Sequence, residues 1–90
     1  MEGLGTLRYA KAVPRYFFHV FNDQTSLDDE GRELPDLDAA RAHAIEDARS
    51  LMWDSLKQGH IDLSHHIAIQ NERGELLLDV KFSDAVAVRL

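Results

Sequence analysis

The chain has 90 residues, 44% of them apolar, a formal charge of −6 and no cysteine. That length makes one domain with one modest core, and the apolar content excludes disorder of the whole chain. Without cysteine there is no disulfide framework, thiolate metal site or cysteine nucleophile, and the acidic balance argues against nucleic acid and against an anionic membrane surface as partners. No apolar run approaches the roughly 20 residues of a membrane span, and no signal-peptide apolar region opens the chain, so a cytoplasmic location is expected.

Residues 1–12 contain glycine and follow no period, which predicts a disordered or loosely attached arm. The single folded domain is predicted over residues 13–90. Arg15 to Asn22 reads as a strand, aromatic and β-branched, with Asn22-Asp23 turning after it. Tyr16, Phe18 and Val20 share one face; Phe17, His19 and Phe21 share the other. Both faces are apolar, so either set can face the core. Thr25 to Asp28 predicts a short second strand pairing back on the first. Asp28-Asp29-Glu30-Gly31 is a turn, and Arg32 to Pro35 an extended lead whose Leu34 reaches the core.

Asp36 to Gly59 predicts one long helix. Pro35 and Asp36 mark its start, Lys57 and Gly59 its end, and no Gly or Pro interrupts it. Leu37, Ala40, Ala44, Ala48, Leu51, Met52 and Ser55 form one stripe, flanked by Ile45 and Leu56. Its alanines would let a sheet approach closely. Asp38/Arg41, Glu46/Arg49 and Asp54/Lys57 suit a solvated outer face. Trp53 projects on that outer face, either lying over neighbouring stems or anchoring a partner.

After Gly59, residues 60–64 form a loop whose Ile61 and Leu63 pack on the helix end. His65 to Gln70 and Glu75 to Phe82 predict a hairpin around Asn71-Glu72-Arg73-Gly74. In the second strand Leu76, Leu78, Val80 and Phe82 alternate with Leu77, Asp79 and Lys81. Ala85 to Val88 predicts a last short strand. The order is β-(β)-α-β-β: an α+β fold of two layers, a small antiparallel sheet with one long helix across one face.

Pro14-Arg15-Tyr16-Phe17-Phe18-His19-Val20, Asp29-Glu30-Gly31, Glu33-Leu34-Pro35-Asp36 and Phe82-Ser83-Asp84-Ala85-Val86 together resemble a family of short proteobacterial proteins whose function is not established. The likeness spans residues 13–88. Members usually have their initiator Met where Val13 stands, so Val13 is expected to mark the natural start. The resemblance implies no activity. A looser likeness, over the strand, turn and helix only, is to antitoxin halves of HicB-type toxin–antitoxin pairs. It implies a protein partner, but the separate DNA-binding or toxin-binding parts are not visible here.

The chemical motifs are sparse. His65 and His66 are adjacent, so on a strand they point to opposite faces and cannot share one ion in regular geometry. His43-Ala44-Ile45-Glu46-Asp47 imitates a helical zinc motif but has Asp47 where the second His is required. Ser26 to Gly31 imitates half a calcium loop, yet Leu37 stands where the bidentate carboxylate belongs. No serine sits in a nucleophile elbow, and no glycine loop cradles phosphate. Neither cofactor nor metal nor catalytic residue is expected. What remains is the set Phe17, His19 and Phe21, together with Trp53. These four residues are the candidate contacts of a small non-enzymatic interaction protein that forms a homodimer. The alternatives are an antitoxin-like partner module, and a ligand-binding domain or enzyme that uses His19, His65 or His66.

Overall fold

The computed structural model describes residues 13–90, so the arm predicted for residues 1–12 lies outside the described residues. The sheet is assembled on β1 (Arg15–Phe21). Along one side it pairs antiparallel with β4 (His66–Gln70), which pairs in turn with β5 (Leu76–Lys81). Its other side carries two strands of two residues each: β2 (Thr25–Ser26) opposite Phe21 and Val20, and β3 (Arg32–Glu33) opposite Tyr16 and Arg15. The sheet is thus five-stranded and antiparallel, in the order β2-β1-β4-β5 with β3 also on β1. The lead predicted before the helix is therefore itself paired, because Arg32 and Glu33 reach the edge that β2 leaves open.

Helix α1 (Leu37–Lys57) crosses one face of this sheet. Asp36 caps it: the backbone there is extended and the carboxylate accepts the Ala39 N–H at 2.8 Å. Gly59 follows its end at φ 92°, a left-handed conformation that costs glycine no Cβ clash. Ala40, Ala44, Ala48 and Met52 are buried against the strands. Three methyl side chains in succession let the rod lie low on the sheet. Leu51 and Ile45 pack at the margins. Leu37, by contrast, is exposed, because the stripe meets the sheet only from Ala40 onwards.

The helix settles which face of β1 is the core. Tyr16 and Phe18 are buried beneath it, with Val20 packed alongside, next to Ile67, Ile69, Val80, Phe82 and Ala85. Leu34 and Leu63 close the ends of this cluster as expected, whereas Ile61 stays exposed.

The hairpin departs from simple alternation. Its turn is as predicted, with the Gly74 N–H donating to Asn71 O and Gly74 at φ 79°. Between Ile69 and Gln70 the register then shifts: Ile69 faces Leu78 but Gln70 faces Leu76, and Leu77 has no partner. Such a bulge inserts one residue, and a one-residue slip exchanges the two faces of a strand. Leu78 and Val80 thereby turn to the core. Leu76, predicted to share their face, lies opposite Gln70 and is 61% exposed.

Residues 85–88 form no strand. A 3-10 turn, Phe82–Asp84, carries the chain off the sheet. Arg49, predicted to pair with Glu46, instead donates from Nε to Ala85 O at 2.7 Å and holds the tail beside the helix. Ala85 is buried; Val86 and Val88 are exposed. No helix among the described residues is long and apolar enough to cross a membrane.

Candidate functional site

Helix α1 covers one face of the sheet, and no described element lies across the other. That open face is built from alternate residues of three strands: Phe17, His19 and Phe21 on β1; His66, Ala68 and Gln70 on β4; Leu76, Asp79 and Lys81 on β5. The predicted contacts Phe17, His19 and Phe21 thus stand together, each half-buried. Trp53 does not join them. It is 62% exposed on the helix, with the sheet in between.

Each side chain on the face has a local reason for its position. Phe17 leans on Gly31, where an added Cβ would lie 2.9 Å from both Phe17 Cε2 and Arg15 Cγ and 3.0 Å from Tyr16 O. Gly31 also has φ 72°, so glycine is required there twice over. Phe21 stacks on His66, with ring centroids 4.9 Å apart and planes 17° from parallel. His66 Nδ1 lies 2.6 Å from Asp79 Oδ1. A carboxylate can only accept, so Nδ1 carries the proton and Nε2 of the neutral ring presents a lone pair.

His19 has the opposite polarity. Its Nδ1 accepts the backbone N–H of Asp28 at 3.0 Å. The neutral ring therefore carries its proton on Nε2 and presents a donor to the open face. The Asp28 carboxylate in turn accepts from the backbone N–H of Phe18, Glu30 and Gly31 at 3.0–3.1 Å. Partial burial opposes ionisation of Asp28. The three backbone N–H groups, of Gly31, Phe18 and Glu30, outweigh it and hold the carboxyl below its usual range. Asp28 fills the gap between β2 and β3, where β1 has no strand beside it. It ties the acidic turn to β1 and fixes the orientation of His19.

A second polar cluster lies at the helix-end corner, away from that face. His65 Nε2 is 3.3 Å from Asp62 and 3.6 Å from Asp23, and His60 Nε2 is 3.7 Å from Asp23. His65 also stands edge-on to Phe82, which anchors it to the core. The Ser64 hydroxyl, at 2.6 Å, and the Ser64 backbone N–H hold the Asp62 carboxyl below its ordinary range. Among the described residues no three or more His, Asp or Glu side chains are arranged to hold a metal ion. On the helix, His43 pairs with Asp47 at 3.2 Å and meets Phe18 edge-on, an intrahelical contact. A hollow of about 250 Å³ separates the start of β1 from the β4–β5 turn, lined by Pro14, Arg15, Tyr16, Arg73 and Leu77. Its two guanidinium groups are engaged by Glu33 and Glu75.

Sequence reasoning missed Asp79 and Asp28. For Asp79 the signal was within reach: Leu78 and Val80 must both face the core, which forces Asp79 outward beside β4. For Asp28 there was none, since an acidic turn looks the same whether its carboxylate faces solvent or a strand edge.

The chain belongs to the family described as domain of unknown function (DUF6894), which matches residues 15–83. The matched span runs from the first residue of β1 into the turn after β5, and so includes the strands of the open face. No curated protein and no solved structure matches the chain.

Proposed function

We propose that this member of the DUF6894 family is a small non-enzymatic interaction protein that self-associates through the open face of its sheet. The observation that carries the reading is the composition of that face. It presents Phe17, Phe21 and Leu76 around the buried Ala68, and its formal charges cancel, Asp79 against Lys81 and Glu33 against Arg15. Two copies of a chain with formal charge −6 repel one another. A face without formal net charge is where they meet at least electrostatic cost.

Scale supports a modest affinity. Three strands about 4.8 Å apart, with about 3.3 Å rise over five residues, make a platform roughly 10–15 Å by 17 Å. That is smaller than the roughly 800 Å² per partner of a standard interface, so association in the micromolar range is expected. The sheet edges contribute less. One carries only the two short strands, and on β5 the bulge and the Lys81 N–H bonded to Asp84 at 3.1 Å interrupt the ladder.

Size-exclusion chromatography with light scattering up to high micromolar concentration tests the reading. A dimer is expected for the wild type and for Trp53→Ala, and a monomer for Phe21→Glu. A wild type that stays monomeric throughout that range overturns the proposal.

A further inference from the structure

We infer that the second copy docks in one specific register, with His19 of each chain donating from Nε2–H to Nε2 of His66 in the other. The inference rests on the self-association proposed above and adds to it the contact that sets the register. Its basis is the opposite polarity of the two imidazoles. Asp28 N–H occupies Nδ1 of His19 and so leaves that ring a donor; Asp79 occupies Nδ1 of His66 and so leaves that ring an acceptor. The two stand diagonally on neighbouring strands, because His19 faces Ala68 and His66 faces Phe21 across the ladder. A donor and an acceptor side by side on one face form a self-complementary pair under two-fold symmetry, where residue i meets j and j meets i.

The register follows from the same four residues. His19, Phe21, His66 and Ala68 form a four-cornered unit on β1 and β4. A two-fold axis lying between the sheets, and exchanging the His19 and His66 corners, leaves the other two corners on the axis. Phe21 then faces Phe21 of the second copy, and Ala68 faces Ala68. The aromatic pair supplies apolar contact at the axis, and the two alanines leave room for sheets stacked about 10 Å apart. The same operation sets Leu76 against Leu76 of the second copy and Asp79 against its Gln70, so the one carboxylate of the three central rows meets a neutral amide.

The test is a mixing experiment by sedimentation velocity. His19→Phe removes both donors of the symmetric dimer and His66→Phe removes both acceptors, so each variant alone should self-associate about tenfold or more weakly. An equimolar mixture places an intact His19 opposite an intact His66 once per dimer. It should recover association to within a few-fold of wild type. Far-UV circular dichroism checks that both variants fold. Imidazole ¹⁵N shifts of the wild type give a readout that needs no variant: concentration-dependent changes are expected at Nε2 of His19 and of His66. A wild-type dimer with unmoved imidazole shifts overturns this register and leaves self-association standing, as does a dimer in which folded variants associate normally or fail to recover on mixing. A wild type that is monomeric sinks both.

Discussion

Asp28 offers the sharpest test of how the open edge of β1 is held. Its carboxylate accepts the N–H groups of Phe18, Glu30 and Gly31, and the bonds from Phe18 and Gly31 are partly buried. Hydrogen bonds to a charged group contribute about 1.5–3 kcal/mol each, but water replaces most of that at the exposed Glu30 donor and part of it at Gly31 in the turn. Asp28→Ala is therefore expected to cost about 2–4 kcal/mol, dominated by the stranded Phe18 and Gly31 N–H groups. For a domain of this size that corresponds to roughly 10–25 °C in Tm. Asp28→Asn is expected to fare little better. Its one carbonyl oxygen can serve Glu30 and Gly31, but its amide N–H then confronts the Phe18 N–H.

The pH dependence sharpens the test. The folded carboxyl is held below its usual range, so the unfolded chain binds more protons in acid and stability falls as pH drops through the folded pKa. The gap between wild type and Asp28→Asn should be full above the unfolded carboxylate pKa, about 3.9, and shrink below it. Urea unfolding followed by far-UV circular dichroism at neutral and acidic pH measures both quantities. A gap under about 0.5 kcal/mol at neutral pH, or one that is unchanged in acid, would falsify the account.

Three further outcomes are expected. Gly31→Ala should destabilise by about 1–3 kcal/mol in urea titrations, since φ 72° is strained for alanine and the new Cβ meets Phe17 and Arg15 at 2.9 Å. Ala44→Leu should cost about 1–3 kcal/mol or more by the same assay, because Ala44 has no exposed surface and lies where helix and sheet approach closely. Ser64→Ala should raise the pKa of Asp62 towards the ordinary carboxylate range, read from NMR titration of its side-chain carbon, because it removes the hydroxyl that chiefly stabilises the ionised form.

Much of the architecture was written in local patterns. The limits of α1, its Asp36 cap and its alanine stripe follow from residues three or four apart on one cylinder. The hairpin turn follows from Asn71 to Gly74, and β1 from its aromatic alternation. Resemblance to a family without an established function was legible in the sequence, and membership of such a family holds over residues 15–83. Even the membership of the open face was half legible, since Phe17, His19 and Phe21 had to fall on one side together.

Only the tertiary structure chose which side. Both faces of β1 are apolar, and the choice went to Tyr16 and Phe18 once α1 lay over them. It also decided the polarity of the histidines. Asp79 reaches His66 because a bulge at Leu77 shifts the pairing, and Asp28 N–H reaches His19 because the acidic turn folds back on the edge of β1. It left residues 85–88 out of the sheet, because a 3-10 turn delivers Ala85 to Arg49 rather than to a strand edge. Within an unbroken helix or strand, periodicity fixes which residues share a face, since that is set by bonds along the chain; the bulge at Leu77 breaks that rule in β5. What each face meets depends on contacts between residues far apart in sequence, and local pattern carries no record of those.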